Sequence, residues 1–306
     1  MNQGDASRTA LTAALMRAVH TRLDRPCLFE DPWGDRLVSA AEKMALYERV
    51  LEGAEPDVRE RLGNLRSPQT VIDAVLRSHA TYGGVILRSR FAEDALERAV
   101  KGGVRQYVLI GAGFDSFIVR QPAFAREIEI FEIDHPASQT MKRQRLEECA
   151  VETPSNVHFV ASDLTQEPVA SALARCHLSR TQPTFFSWLG VSVYLSRTAN
   201  LTTLRGIAAS SAAGSELVFT YIDQRALEGR GSGAFDKMRA RRARQGEPWL
   251  SGFDPASLAN ELKALGLVLV EDLGGEELRA RYCAGRSDAL SPGASGHVAR
   301  ARVGAR

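Results

Sequence analysis

The sequence predicts an α/β protein with a doubly wound, mostly parallel, seven-stranded Rossmann-like sheet and an N-terminal helical cap. Two observations lead to this fold class. From residue 102 onward, short apolar runs alternate with helical stretches, which is typical of a parallel sheet covered on both faces. The first hundred residues contain helical periodicity only. We therefore expect a helical cap at 1–100 and a sheet domain at 101–306.

The cap is expected to contain three helical stretches, at about 7–23, 35–52 and 69–100. Asp31-Pro32-Trp33 breaks the periodicity between the first two, because proline disfavours a helical conformation in the residue before it. Residues 53–68 contain two glycines and two prolines, so we expect a connecting segment there.

Seven short apolar runs predict the strands of the sheet, and further helices are expected at 137–150, 198–213 and 255–265. The runs are 107–110, 128–134, 157–160, 184–188, 216–222, 267–270 and 297–303. Residues 225–250 do not fit the alternation, since they are rich in arginine and glycine and poor in apolar residues. They predict a flexible insertion, either a lid that favours an anionic substrate or a solvated face.

Composition excludes several classes of protein. The 306 residues are 44% hydrophobic and 25% charged, which is ordinary for a globular chain. The formal net charge is +2, from 39 Lys+Arg against 37 Asp+Glu, so bulk charge does not predict nucleic-acid binding. No apolar run is long enough to predict a membrane span. None of the four cysteines forms a C-x-x-C pair, so we expect no metal site and a reducing, cytoplasmic location.

The most informative motif is the turn after the first predicted strand, Gly111-Ala112-Gly113-Phe114-Asp115-Ser116. Glycines allow a tight turn and a close approach of the backbone to a ligand at the carboxyl end of a strand. The dinucleotide fingerprint has a third glycine where Ser116 stands, and Asp115 would repel a pyrophosphate. The motif favours a cofactor without phosphate over a purely structural turn.

Acidic residues follow the second and third predicted strands. Asp134 lies 23 residues after Gly111, close to the spacing at which an acid binds a ribose diol, although Asp134 could also cap the next helix. Glu132 shares its strand face and is a rival. Asp163 and Leu164 follow the third strand, where they could bind the amino group and the ring of an adenine.

These motifs together resemble class I S-adenosylmethionine (SAM)-dependent methyltransferases, and more closely the leucine carboxyl methyltransferase family in its bacterial small-molecule branch. The resemblance also includes Asp31-Pro32-Trp33, Arg88-Ser89-Arg90-Phe91 and the segment 187–195. It implies SAM as the cofactor. The residues that it implies for cofactor binding are Arg88, Gly111, Ala112, Gly113, Asp134, Asp163 and Leu164.

By the same resemblance, Arg88 would bind the methionine carboxylate of SAM, and Arg90 is its rival. Arg17 could supply a second basic contact, but an arginine in the middle of a helix is expected at the surface. Asp134 would bind the ribose and Asp163 with Leu164 the adenine.

The expected partner is a small-molecule methyl acceptor, such as a polyketide or another natural product. Protein-methylating members of the family carry a glutamate near the end of the fourth strand, where this chain has Leu189. Trp188 and Tyr194 are expected to contact the acceptor. A carboxylate acceptor needs no base, whereas a hydroxyl benefits from one. His135, at the rim of the expected site, is the histidine best placed for that role, but a structural role is favoured.

Two alternative functions remain open at this stage. The same sheet could bind NAD in an oxidoreductase, against which Asp115 and Ser116 argue. A methyltransferase fold could also be retained for binding without catalysis, because the residues on the acceptor side are not diagnostic. The sequence contains no motif of a nucleic-acid methyltransferase.

Overall fold

The computed structural model describes residues 8–54, 56–64, 67–244, 246–288 and 290–305. A single seven-stranded sheet with the order β3-β2-β1-β4-β5-β7-β6 forms its centre. All strands are parallel except β7, which pairs antiparallel with both β5 and β6. The strands are β1 Gln106–Ile110, β2 Glu129–Asp134, β3 Val157–Ala161, β4 Thr184–Trp188, β5 Glu216–Ile222, β6 Leu267–Leu273 and β7 Gly296–Val303. The predicted fold class and all seven strands are confirmed.

Thirteen α-helices are assigned within the described residues. They are α1 Arg8–Leu23, α2 Gly34–Leu37, α3 Ala40–Glu52, α4 Pro56–Gly63, α5 Pro68–Ser78, α6 Tyr82–Lys101, α7 Phe117–Arg120, α8 Pro136–Glu148, α9 Val169–Arg175, α10 Arg197–Ser210, α11 Gly233–Arg244, α12 Leu258–Ala264 and α13 Gly275–Tyr282.

The N-terminal helices differ from the prediction in two places. The expected helix at 69–100 is two helices, α5 and α6, because the backbone at His79 is extended and ends α5. The expected connection at 53–68 contains the short helix α4. The break before α3 follows from local chemistry: Ser39 and Glu42 form a capping box at its start.

Apolar side chains on both faces of the sheet explain its continuous apolar strands. Every residue of β1 and of β4 is buried, as expected where helices cover both faces. One hydrophobic cluster joins one face of the sheet to α1 and α6, and a second joins the other face to α9, α10 and α12. The helical cap and the sheet thus share a core, in which α6 lies against the central strands.

Among the helices in the described ranges, we find none with the length and apolar character needed to cross a membrane.

Candidate functional site

The turn after β1 brings its backbone close to the loop after β4. Gly111 has φ +69°, a conformation that favours glycine. A Cβ atom on Gly111 would lie 2.4 Å from Cγ2 of Val191. The backbone N–H groups of Gly111 and Ala112 both donate to the carbonyl of Ile133, at 2.8 and 3.3 Å. This turn lies at the carboxyl ends of β1 and β2, where ligands bind in such sheets, and its residues are partly exposed.

Asp134, the last residue of β2, is joined to the glycine turn. Its Oδ2 accepts a hydrogen bond from the Gly113 N–H at 2.7 Å, and its Oδ1 accepts one from the His135 N–H at 2.8 Å. Burial raises the pKa of Asp134, and these two backbone hydrogen bonds oppose that rise. The carboxylate thus fixes the turn and still has lone pairs for a ligand.

Glu132, the rival of Asp134, is fully engaged inside the protein. Both of its oxygens accept hydrogen bonds from Nζ of Lys142, at 2.6 and 2.8 Å, and both residues are 1% exposed. Burial raises the pKa of Glu132 to about 7, against the opposing charge of Lys142. The structure therefore leaves Asp134 as the acid at the sheet edge and gives Glu132 a role in joining α8 to β2.

Asp163 lies beside His135 at the same edge of the sheet. Oδ1 of Asp163 accepts hydrogen bonds from the N–H and the hydroxyl of Thr165, at 2.9 and 2.6 Å. Burial opposes ionisation, but these hydrogen bonds keep the pKa of Asp163 below its usual value. Leu164 packs against the neighbouring hydrophobic cluster. Asp134, Asp163 and Leu164 thus surround one part of the edge, as their order in the chain predicts.

His135 occupies a structural position at this edge. Its Nδ1 accepts a hydrogen bond from the Ala137 N–H and caps α8, and its Nε2 lies 3.8 Å from Oδ2 of Asp163. The structural role favoured from the sequence agrees with this geometry.

Arg88, on α6, is a cation without a protein partner. Within the described ranges, its guanidinium forms no hydrogen bond or ion pair. Its Nη1 lies 2.6 Å from the position that a Cβ atom on Gly190 would occupy, so a side chain there would displace the guanidinium, and the φ of +73° at Gly190 also favours glycine. Loss of solvation and the nearby charge of Arg17 lower the pKa of Arg88 to about 10, which still leaves it charged at neutral pH. A partly buried cation of this kind is stabilised by an anionic ligand.

Arg90 has a different environment. Its guanidinium forms an ion pair with Asp94 and donates a hydrogen bond to the carbonyl of Leu28 at 3.3 Å. The surroundings of the two rivals differ, since Arg88 lines a cavity in which Arg90 does not take part.

Arg17 lies in the interior, so the expectation of a surface arginine was wrong. It is 5% exposed, its Nε donates to Asp31 and its Nη2 donates to the carbonyl of Phe114, both at 2.7 Å. Asp31 is itself 0% exposed and compensates the buried charge. Arg17 thus ties α1 and the Asp31-Pro32-Trp33 segment to the glycine turn, beside Arg88.

A cavity of about 430 Å³ opens next to Arg88 and Gly190. Its walls come from α1, α6, the loop after β4, the end of β5, the segment 230–249 and the loop before β7. Tyr194 lines it, and its hydroxyl has no hydrogen-bond partner in the part of the chain that the structure describes. The volume is in the range of small-molecule sites. We call this space the acceptor cavity.

Trp188, expected to contact the acceptor, lies in the core instead. Its side chain is 0% exposed and its ring centroid lies 6.2 Å from that of Phe219, inside the second hydrophobic cluster. The prediction of a substrate contact was wrong, because every residue of β4 is buried and the sequence does not indicate which residues face the cavity.

The segment 225–250, expected as an irregular insertion, contains the helix α11. Phe235, Met238 and Arg242 are spaced three and four residues apart, so they share one face of that helix, and all three line the acceptor cavity. Arg242 donates a hydrogen bond to Oγ1 of Thr9 at 2.9 Å and lies 3.7 Å from Glu247. This contact joins α11 to α1 across the cavity. The sequence did not predict the helix α11, because the two large apolar residues Phe235 and Met238 among many arginines form only a weak helical pattern.

Comparisons with known proteins agree with this architecture. The sequence profile described as leucine carboxyl methyltransferase matches residues 10–208. A Bacillus subtilis protein named "Putative S-adenosyl-L-methionine-dependent methyltransferase YktD" is 30% identical over 295 residues, which is 95% of this chain and 96% of that protein. A protein of the same description from Frankia alni is 32% identical over 69% of this chain and 67% of its own length.

Solved structures share the fold at low sequence identity. A DUF574 family protein from Streptomyces avermitilis is 17% identical and has a TM-score of 0.58 over 88% of this chain and 98% of its own. A crystal structure from Thermobifida fusca, titled as that of a methyltransferase without an established activity, is 18% identical with a TM-score of 0.55 over 85% and 94%.

Proposed function

Because this chain belongs to the leucine carboxyl methyltransferase family, we propose that it transfers the methyl group of SAM to an oxygen atom of a small molecule. The observation that carries the proposal is Arg88, an unpartnered guanidinium beside a small-molecule-sized cavity at the carboxyl edge of the sheet. Methyl transfer needs a donor with an electrophilic methyl group, and SAM combines such a group with a carboxylate that Arg88 could bind.

The residues at the edge fit such a cofactor. Arg88 would bind its carboxylate. The turn formed by Gly111, Ala112 and Gly113 would pass beneath the cofactor. Gly111 packs against the loop after β4, where a side chain on it would meet Val191. Asp134 would accept hydrogen bonds from the ribose hydroxyls. Asp163 and Leu164 would bind the adenine. The Asp163 carboxylate would accept a hydrogen bond from the amino group, and the Leu164 side chain would pack on the ring.

When bound, SAM would supply an electrophilic methyl group on a positively charged sulfur, with S-adenosylhomocysteine as the leaving group. The protein has to hold the acceptor oxygen in line with that methyl group and exclude water. Arg88 fixes one end of the cofactor, and Arg17 holds the carbonyl of Phe114 so that the turn keeps its shape. The helix α11, joined to α1 through Arg242 and Thr9, closes the cavity on the acceptor side.

A small molecule is favoured over a protein as the acceptor. By the resemblance, Leu189 stands where protein-methylating members of the family carry a glutamate, and α11 lines one side of the cavity. Tyr194 would orient the acceptor oxygen, because its hydroxyl lines the cavity and is free to form a hydrogen bond.

The NAD alternative is disfavoured by the start of α7. A pyrophosphate would need free backbone N–H groups at this helix start. Oδ1 of Asp115 already accepts a hydrogen bond from the Phe117 N–H at 2.8 Å, and Ser116 is 0% exposed. The start of α7 therefore presents the Asp115 carboxylate where a dinucleotide pyrophosphate would need hydrogen-bond donors.

Calorimetric titration of the purified protein with SAM, S-adenosylhomocysteine and NAD tests the proposal. We expect micromolar binding of the first two and none of NAD. Mass spectrometry of small phenols and carboxylic acids incubated with protein and SAM should then reveal a product one methyl group heavier. Binding of NAD but not of SAM to the folded protein would refute the proposal.

A further inference from the structure

We propose that the methyl acceptor is a small aromatic molecule that carries an anionic group, which Arg230 binds at the far side of the acceptor cavity from the methyl-accepting oxygen. The inference rests on the proposed function and names the substrate class of the same site. Three observations carry it: an aromatic wall, a free cation beside that wall, and hydrogen-bond donors without partners around the cavity.

The aromatic wall is formed by α11 and the segment that follows it. The ring centroids of Phe235 and Trp249 lie 5.3 Å apart with an interplanar angle of 45°, and both residues line the cavity. Met238 stands one helical turn after Phe235 and lines it too. Aromatic rings and a polarisable thioether together favour a flat aromatic ligand.

Arg230 is the free cation beside this wall. It is exposed, lines the cavity and, among the residues that the structure describes, forms no hydrogen bond or ion pair. Its neighbours in the segment are engaged elsewhere. Arg225 forms an ion pair with Asp223 at 3.0 Å, Arg239 donates to the carbonyl of Leu227, and Arg242 donates to Thr9.

The backbone holds Arg230 next to the aromatic wall. A Cβ atom on Gly231 would lie 2.8 Å from Cδ1 of Phe235, so the chain packs closely against this ring directly after Arg230. Gly229, with φ +89°, makes the turn that precedes it. A ring stacked near Phe235 would therefore bring its substituents within the range of the Arg230 side chain.

The polar groups of the cavity indicate the sign of the ligand's charge. Asp223, the carboxylate that lines the cavity near Arg230, is neutralised by Arg225. Three side chains that line the cavity can donate hydrogen bonds and have no partner in the described ranges: the hydroxyl of Tyr194, the guanidinium of Arg230 and the indole N–H of Trp249, which is shielded from solvent. Arg88 is assigned to the methionine carboxylate. The remaining donors match a ligand with oxygen acceptors, one of them anionic.

Titrations with 6-hydroxy-2-naphthoate and 2-naphthol, in the presence of saturating S-adenosylhomocysteine, test the inference. These probes share the ring system and differ in the carboxylate. We expect wild-type protein to bind the naphthoate about fivefold more tightly than the naphthol, the upper range for a partly exposed ion pair. The preference should decrease with added salt.

Two variants assign the effect. Arg230→Gln should remove the preference for the naphthoate and leave the affinities for 2-naphthol and S-adenosylhomocysteine unchanged. Arg244→Gln is the matched control, because Arg244 is an exposed arginine of the same segment that does not line the cavity, and it should keep the preference. Circular dichroism checks that both variants are folded.

Equal binding of the two probes to wild-type protein, absence of binding of both, or the same loss in Arg244→Gln as in Arg230→Gln would each overturn the inference. Failure of the proposed function would look different, because S-adenosylhomocysteine itself would then not bind.

Discussion

The two halves of the site are built in different ways. The proposed cofactor half comes from one stretch of chain, between Gly111 and Leu164, and consists of backbone groups and carboxylates at the ends of consecutive strands. The acceptor cavity comes from six separate segments and consists of apolar side chains and unpartnered donors. Arg88 and Gly190 stand where the two halves meet. The first half would select its ligand through the backbone and strand ends of the sheet. The second would select its ligand through side chains, which substitutions can replace without altering the sheet.

The largest expected effect concerns the buried support of the cofactor half. Glu132→Gln leaves the Lys142 ammonium buried without its counter-charge, so we expect the free energy of unfolding to fall by about 3–5 kcal/mol. Glu129→Gln is the control, because its ion pair with His158 lies on the same strand but is exposed and should contribute less than about 1 kcal/mol. Urea denaturation measures both. Similar losses of unfolding free energy in both variants would show that the buried Glu132–Lys142 pair contributes no more to stability than the exposed pair.

The glycine turn gives the next largest effect. Gly111→Ala adds a Cβ atom against Val191 and strains a backbone at φ +69°, so we expect SAM affinity to fall by about a hundredfold, or about 3 kcal/mol. Gly214→Ala is the control, since Gly214 has φ +84° but open space around it. It should destabilise the fold without changing SAM affinity. Calorimetry on both variants separates strain from ligand contact, and an unchanged affinity in Gly111→Ala would remove the turn from the site.

Asp134→Ala should weaken SAM binding by about 1–3 kcal/mol. The variant loses the ribose contact and also the hydrogen bond that Gly113 donates to the carboxylate. Asp134→Asn keeps an acceptor oxygen for Gly113 and should lose less. Equal affinities of wild-type protein and both variants would place the ribose elsewhere.

The smallest expected effect separates the two halves. Phe235→Leu alters the aromatic wall of the acceptor cavity, so SAM affinity should stay within about twofold of wild type while 2-naphthol binding weakens. A large loss of SAM affinity in this variant would contradict the division of the site, because α11 would then contact the cofactor.

The same division explains what the sequence could predict. The seven strands, the glycine turn and Asp134 follow from local patterns, namely apolar runs, a positive-φ turn and an acid at a fixed spacing. Trp188 could not be placed, because a strand buried on both faces has no alternation that shows which way a side chain points. Burial of Arg17 depends on Asp31 and Phe114, and only the tertiary fold brings them together. The aromatic wall on α11 is likewise a product of packing.

Titration of SAM into matched Arg88→Gln and Arg90→Gln variants tests the central claim most directly. Both residues lie on α6, two positions apart, and only Arg88 lines the cavity without a partner. We predict that Arg88→Gln weakens SAM binding by at least about tenfold, as expected for a lost ion-paired hydrogen bond, and that Arg90→Gln retains wild-type affinity. Wild-type affinity in Arg88→Gln, in a folded protein, would contradict the account.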